Sequence, residues 1–380
     1  MDRHLIRSRS GGFTLVELLV AVTATAIVVA VVYGTFGVQQ RVYGTEEQIT
    51  EMQQGMRVAM EMIARDVRMA GFWGCPGDTA ASFKNTLNTA SLSFDPVSGF
   101  NNVTSNGAHP YNQAPTNSIF GAVGTANGVM PNTDIAGFTL ADPDFWAPIV
   151  TQQTLPSADI KLQDTPDAQT LQVGDIAIVS DCVNTTIFQI TNISFSGSQA
   201  NVVHQTGGGA PGNATKCFMC DDRNTNSCTN AAECNSSPGY GPPGASLYKI
   251  ESRFYWVGTN GQLNVSTGGS SGAGFTYTSR PIADNIEDLQ FVYGEDTSAI
   301  PDGHPDVWVS ADAVTDWLNV VAVEIHLLGK TSKIEKDYVN SHAYNFADRD
   351  DGPFGDFTYR DGHYRYYLAR TVTLRTLLTE

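Results

Sequence analysis

The stretch Arg7–Val22, RSRSGGFTLVELLVAV, places one acidic residue, Glu17, inside a run that otherwise resembles a membrane span. Residues 1–12 carry three Arg against one Asp, a net charge of +2. From Leu18 to Gln40 there are 23 residues without a charge, long enough as a helix to cross a bilayer. A carboxylate in lipid costs several kcal/mol unless it is neutralised or paired. Glu17 is therefore a predicted functional residue.

The basic end of the chain predicts the orientation of this span. Positive charges stay on the cytoplasmic side, so the chain from Arg41 onward is expected outside, which in a Gram-negative cell is the periplasm. A secretory signal peptide is one alternative, because Ala24–Ala26 fits a small-x-small cleavage pattern. That site lies in mid-run, however, with apolar Ile27–Val32 still to follow. A simple anchor is the other alternative, and neither explains Glu17.

The segment Gly11–Ala21, GGFTLVELLVA, resembles the class III signal of type IV prepilins. The resemblance implies that prepilin peptidase removes residues 1–12 by cutting between Gly12 and Phe13. It also implies N-methylation of Phe13 and a role for Glu17 as an assembly charge. We expect the new amine at Phe13 to compensate the Glu17 carboxylate, within one chain or between a new subunit and its neighbour.

Five later segments resemble the body of PilW-type minor pilins. The first ends the predicted helix, and the others resemble strands of that family. They are ARDVRMAGFWGC (Ala64–Cys75), VGDIAIVSDCVNTTIFQIT (Val173–Thr191), NIEDLQFVYGED (Asn285–Asp296), VVAVEIHLLGKT (Val320–Thr331) and HYRYYLARTVTLRTL (His363–Leu377).

A long helix is predicted over residues 13–70, with residues 13–40 as its transmembrane part. Beyond the apolar run, residues at intervals of three and four form one apolar stripe, typical of an amphipathic helix packed on a body. Gly71 is a suitable residue to end it. The stripe consists of Ile49, Met52, Met56, Ala59, Ile63, Val67 and Ala70.

Residues 71–380 predict a β-rich periplasmic domain. Alternating apolar residues indicate strands between Leu171 and Ile190 and at four later places. The region Ala80–Pro166 is rich in Asn, Gly, Ser, Thr and Pro, and predicts long loops with a few short elements. The predicted class is α+β and pilin-like, with the helix packed on a mainly antiparallel sheet. The four later strands are Leu247–Val257, Ile286–Tyr293, Val320–Leu328 and Tyr364–Leu374.

Six cysteines occur in the chain, four of them in a Cys/Gly-rich insertion at about 204–244. These four could hold zinc, but their spacing fits no common zinc motif, and an oxidising compartment favours disulfides. Cys75 and Cys182 lie in the PilW-like segments, and we predict that they pair and tie the helix end to the sheet. Six cysteines allow 15 connectivities. The four in the insertion are Cys217, Cys220, Cys228 and Cys234.

Two further patterns favour no ligand or reaction. Asp348, Asp350 and Asp351 could bind calcium, but the loop is one residue short of an EF-hand, so a solvated acidic turn is favoured. Gly268–Gly272 matches G-x-S-x-G without the strand and helix that an esterase needs. We therefore expect no catalytic residues, no metal and no cofactor. The net charge of −17 disfavours nucleic acid as a partner.

The PilW-type resemblance implies a minor pilin that helps prime type IV pilus assembly and sits at or near the tip. Implied partners are other minor and major pilins through the helix, the inner-membrane assembly machinery and a tip adhesin. The implied processes are cell adhesion and twitching motility. The implied location is a single-pass inner-membrane protein before assembly and the pilus afterwards. One alternative is the J-type pseudopilin of type II secretion, and another is a membrane-anchored periplasmic enzyme or binding protein.

Overall fold

The computed structural model describes most of the chain. The chain forms two compact units, Met1–Glu51 and Met52–Glu380. The predicted boundary after residue 70 therefore marks the end of the helix, whereas the division into units falls inside the helix. The described residues are 12–74, 83–88, 95–103, 128–154, 157–209, 211–218, 239–271, 274–299, 302–344, 357–358 and 360–374.

One helix, α1, runs from Leu15 to Met69, which agrees with the predicted 13–70. It ends where Gly71 adopts a φ of 74°, a left-handed conformation that glycine adopts without a steric penalty. The Gly71 amide then donates to the Thr139 carbonyl at 2.9 Å, so the chain leaves the helix directly onto a strand.

Among the described residues, eighteen strands follow the helix. In chain order they are β1 Phe83–Asn85, β2 Val97–Val103, β3 Thr133–Ala141, β4 Ala147–Thr151, β5 Asp159–Gln163, β6 Ile176–Ser180, β7 Thr185–Gln189, β8 Asn192–Ser196, β9 Gln199–Val203, β10 Ser246–Val257, β11 Leu263–Ser271, β12 Gly274–Ala283, β13 Ile286–Glu295, β14 Val307–Val309, β15 Val320–Lys330, β16 Ala343–Tyr344, β17 Phe357–Thr358 and β18 Arg365–Thr373.

Strand β10 is shared by two arms of a twelve-stranded sheet. Its first residues, 246–249, pair with β4 and β6. From Ile250 onward it pairs with β3 and β11 instead. The first arm has the order β1-β7-β6-β10-β4-β5-β9-β8, and the second has the order β2-β3-β10-β11-β12. The β1–β7 pair is parallel, and the other pairings of this sheet are antiparallel.

A separate four-stranded antiparallel sheet has the order β14-β13-β15-β18. The main core combines residues of this sheet with residues of β3, β10 and β11 and with the helix from Met52 onward. Met56 and Ile63 of the predicted stripe are completely buried there, and each such side chain contributes about 2 kcal/mol of burial free energy. The C-terminal turns of α1 are thus part of the body's core.

A second core lies in the first arm of the large sheet, remote in sequence from the helix. Phe188, Phe218 and Tyr240 pack together there with the buried imidazole of His204. His204 stacks on Phe218 with ring centroids 3.7 Å apart. This core contains Phe218 from the predicted insertion, so that part of the insertion is packed in the body.

The prediction of long loops with a few short elements over Ala80–Pro166 missed the longer strands β2 and β3. Strand β3 is buried at all nine positions, because Phe138 faces the main core while Ile135 faces a third cluster with Phe254 and Trp256. A strand covered on both faces has no alternation of polar and apolar residues, which hides it from a periodicity test. The Gly/Ser/Thr-rich hairpin β11–β12 escaped prediction for a different reason, because its composition is typical of loops.

Candidate functional site

The N-terminus of α1 is closed by Thr14 and Glu17. The Thr14 amide donates to Glu17 Oε2 at 3.0 Å, and the Thr14 hydroxyl donates to the same oxygen at 2.9 Å. In return, the Glu17 amide donates to Thr14 Oγ1 at 3.3 Å. This reciprocal arrangement is a capping box, in which the N-cap threonine and the glutamate three residues later satisfy amides that the helix leaves free.

The capping box explains part of what an acid does at position 17. An acidic side chain in the first turn also interacts favourably with the positive end of the helix dipole. The predicted cut between Gly12 and Phe13 leaves both residues and the Thr14 amide in place, so the box can persist in the processed chain. The spacing T-x-x-E is visible in the sequence and is the local signal that could have predicted this box.

The apolar segment of α1 has no covering within its own unit. Large apolar side chains from Leu15 to Val42 are mostly more than half exposed. Phe13, the predicted first residue after cleavage, is 87% exposed. An 18-residue window of this helix has a mean hydropathy of 2.6, and among the described residues α1 is the one helix long and apolar enough to cross a membrane. Such a surface requires lipid or other apolar helices around it.

The last turns of α1 are fixed to β10 by a buried carboxylate. Asp66 is 1% exposed, and its Oδ1 accepts a hydrogen bond from Arg253 Nη1 at 2.6 Å. Its Oδ2 accepts one from the Tyr255 hydroxyl, also at 2.6 Å. Burial, together with the Asp66 charge, raises the pKa of Tyr255. Arg253 also pairs with Glu251 on its own strand, so the charges of this cluster compensate one another.

A second ion pair joins α1 to the last strand. Arg370 lies on the same face of β18 as Leu368 and Val372. Its guanidinium donates to Glu61 of the helix at 2.5 Å, and this hydrogen bond lowers the pKa of Glu61. The neighbouring residues Leu368 and Val372 pack on the main core. Arg370 is therefore placed to pair with the helix.

Two family models match parts of the chain. The model described as Prokaryotic N-terminal methylation motif matches residues 7–33. The model described as Type IV Pilus-assembly protein W matches residues 254–376, which is less than half of the chain.

The chain thus matches a PilW-type pilin with a prepilin signal. Of the five segments quoted above for this resemblance, Asn285–Asp296 and Val320–Thr331 fall within the second match. His363–Leu377 also falls within it, except for its last residue. The segments at Ala64–Cys75 and Val173–Thr191 lie outside it. A search of the curated proteins found no match. A type IV-like pilin from Thermus thermophilus is similar in structure at a TM-score of 0.22 and 16% identity, covering 38% of this chain and 71% of that one.

The cysteines of the chain are only partly described. Cys182 and Cys217 are both disulfide-bonded, and the described residues include no free cysteine. Cys75, Cys220, Cys228 and Cys234 lie outside the described residues, so the predicted Cys75–Cys182 pair stays a prediction. Gly74, which precedes Cys75, lines the same open cleft as Cys182, and this proximity favours the pairing.

The predicted acidic loop, which contains Asp348, Asp350 and Asp351, also lies outside the described residues. Asp361, just beyond it, accepts two hydrogen bonds from Arg365 at 2.7 and 2.8 Å, and these lower its pKa. Arg365 also pairs with Glu287, which binds Lys330 in turn. Asp361 thus belongs to an ion-pair network of the four-stranded sheet.

The described part of the chain contains no group of three His, Cys, Asp or Glu side chains able to hold a metal ion. The first four residues of the G-x-S-x-G sequence lie in β11, and Ser270 pairs with Phe275 of the following strand. An esterase nucleophile sits on a turn between a strand and a helix, so this serine lacks the required setting. The geometry described above serves packing and helix capping.

Proposed function

We propose that this chain is a minor pilin, a subunit that helps start type IV pilus assembly and stays at or near the tip. The observation that carries the proposal is the pairing of a prepilin motif with an apolar helical segment whose large side chains are mostly more than half exposed. Before assembly the inner membrane covers that segment. During assembly the segment leaves lipid and packs among the helices of other minor and major pilins.

The folded body supports a location at the end of a fibre. The unit from Met52 onward contains a twelve-stranded and a four-stranded sheet. In a fibre held together by helices, each interior subunit must fit its body beside neighbours on both sides. A subunit at the tip has neighbours on one side only, so a large body causes no clash there. The exposed side of such a body is free to carry a tip adhesin.

Glu17 is proposed to register the incoming subunit with its neighbour. In a bundle of apolar helices, a carboxylate and the amine of Phe13 attract strongly, because the medium screens little. A buried carboxylate without a partner would be strongly destabilising there. The capping box holds the side chain against its own helix start, so the same acid closes the helix and presents a negative charge.

The first experiment is mass spectrometry of the N-terminal peptide of the chain recovered from membranes. We expect the mature chain to begin at N-methylated Phe13. A chain that keeps Met1, or that begins between Thr25 and Ile27, would exclude prepilin processing and with it the proposed function.

The second experiment separates the charge of Glu17 from its capping role. Glu17→Ala removes both, whereas Glu17→Gln removes the charge and keeps an acceptor for the Thr14 amide, since glutamine also completes a capping box. Incorporation into sheared pili is measured by immunoblot, with exposed Glu47→Ala as the matched control. Docking by charge predicts that Glu17→Gln fails as Glu17→Ala does, while Glu47→Ala incorporates normally. Normal incorporation of Glu17→Gln would exclude the docking charge.

The third experiment tests priming and position. Deletion of the gene should leave cells with few or no pili, and gold labelling of an epitope on the chain should mark fibre ends. Labels distributed along the fibre would contradict the tip location, and normal piliation without the chain would contradict the priming role. The J-type pseudopilin alternative predicts instead a loss of protein secretion with normal piliation.

A further inference from the structure

An open cleft of about 530 Å³ lies on the body, outside the segment matched by the PilW model. It lies between strand β4, the end of β5 and the start of β10. Its lining residues include Trp146, Gln163, Pro242, Pro243, Ser246 and Tyr248. Its volume falls in the range of small-ligand sites, which are concave and lined mainly by apolar and aromatic groups with a few polar ones.

Trp146 has a fixed edge and an open face. Its indole Nε1 donates to Ser246 Oγ at 3.0 Å, and its backbone amide donates to Asp167 Oδ2 at 3.2 Å. The residue is nevertheless 54% exposed. Exposing a large apolar side chain to water is energetically unfavourable, so an indole held exposed in one orientation indicates that another group packs on it.

The lining of the cleft carries no formal charge, although the chain has a net charge of −17. Neither an acidic nor a basic side chain is among its described lining residues. Gln163 lies at the rim, and within the described residues its side-chain amide makes no hydrogen bond. An amide can both donate and accept, which suits hydroxyl groups. The lining therefore fits an uncharged ligand that has an apolar face and hydroxyl groups at its edge.

We propose that this cleft binds a neutral carbohydrate, with a sugar ring stacked on Trp146 and its hydroxyl groups bonded to Gln163. A pyranose ring presents C–H groups on one face, which pack against the negative face of an aromatic ring. A proline-rich peptide is the main competitor for an aromatic groove. A groove that binds such a peptide uses a free indole N–H to donate to the peptide carbonyls. Here the indole N–H of Trp146 already donates to Ser246. The open face of Trp146 remains available, which favours the sugar.

The test uses the full-length chain in dodecyl phosphocholine, because detergents with sugar headgroups would compete for the cleft. The probes are maltotetraose, cellotetraose and chitotetraose as neutral sugars, tetragalacturonate as an acidic sugar and octaproline as a peptide. Saturation-transfer NMR detects contact with sugar C–H groups, and calorimetry gives the Kd. Trp146→Ala is compared with Trp308→Ala, whose indole is 42% exposed on β14 and does not line the cleft.

We expect saturable binding of at least one neutral sugar. Trp146→Ala should weaken that Kd at least about tenfold, and Gln163→Ala should weaken it by a smaller factor. Trp146→Phe should retain most of the affinity, because it keeps an aromatic face, and Trp308→Ala should change nothing. Failure of all three neutral sugars to bind would overturn the proposal. So would equal binding by Trp146→Ala, or Trp146-dependent binding of octaproline or tetragalacturonate alone.

Discussion

Tyr255 of strand β10 donates a 2.6 Å hydrogen bond to Asp66 of the helix, although the two residues are 189 positions apart in the chain. Asp66 is 1% exposed, and Arg253 binds its other oxygen. The carboxylate therefore fixes the last turns of α1 to the strand that both arms of the large sheet share. Because the same turns bury the apolar stripe, the position of the helix on the body is set by packing and by one polar cluster together.

Tyr255→Phe should lower the free energy of unfolding of the body by about 1–2 kcal/mol, because it removes one buried hydrogen bond and leaves Asp66 Oδ2 without that donor. Asp66→Asn should cost more, about 3 kcal/mol, because Arg253 then lacks one of its buried carboxylates. Chemical denaturation followed by tryptophan fluorescence measures both.

The matched control for this cluster is Glu51→Ala, which removes an exposed acid directly before Met52, the first buried residue of the stripe. It should change the free energy of unfolding by less than about 0.5 kcal/mol. If Tyr255→Phe changed the free energy of unfolding as little as this control does, the Asp66–Tyr255 hydrogen bond would contribute nothing to stability.

Thr14→Val should loosen the first turn of α1 by about 1 kcal/mol, because it removes the hydroxyl that accepts from the Glu17 amide and donates to its carboxylate. Hydrogen exchange at the Glu17 amide, followed by NMR in detergent, should become faster. Thr14→Ser keeps the hydroxyl and should preserve protection. Equal exchange rates in both variants would show that the capping box does not form in solution.

His204 should make the body less stable in mild acid. Burial lowers its pKa from 6.5 to about 3, and its Nε2 lies 3.0 Å from the Gln153 amide nitrogen, which donates to a neutral ring. Below pH 6.5 the unfolded chain binds a proton that the folded chain does not. The free energy of unfolding should therefore fall as the pH drops from 6.5 towards 3, by up to about 1.4 kcal/mol per pH unit from this group.

His204→Phe provides the test of this pH dependence, since it keeps an aromatic ring against Phe218 and removes the titration. It should be less stable than the native chain at pH 7, because Gln153 loses its acceptor, but its stability should fall less steeply with acid. Exposed His304→Gln is the control and should keep the native slope. A native slope in His204→Phe would rule out this histidine as the source.

Cys182→Ser should release one free thiol, at Cys75. The Tyr248 hydroxyl donates to the Gly74 carbonyl at 3.1 Å, and Gly74 and Cys182 line one cleft, which brings the chain before Cys75 close to Cys182. Loss of this bridge should cost about 2–4 kcal/mol of unfolding free energy. Alkylation without reduction, followed by peptide mapping, locates the thiol. A free thiol at Cys220, Cys228 or Cys234 instead would disprove the pairing.

Strong local patterns made much of the fold predictable. The charge-free run and the stripe from Met52 to Val67 predicted α1 to within a few residues of its ends. The strands beginning at Ser246 and Val320, which are rich in β-branched and aromatic residues, were also predicted nearly to their ends. Strand β3 was not, because neighbours on both of its faces bury every position, and a sequence window contains no information about those neighbours.

The sequence by itself determined the prepilin-type start, the long helix and the acid at position 17, because each depends on residues within one or two helical turns. The capping box belongs with these, since T-x-x-E is a local spacing. Only the tertiary structure decided that Asp66 is bound by Arg253 and Tyr255, that Arg370 pairs with the helix, and that Trp146 lies open in an uncharged cleft. Those contacts join residues up to 309 positions apart, and their energies depend on burial that only the folded chain creates.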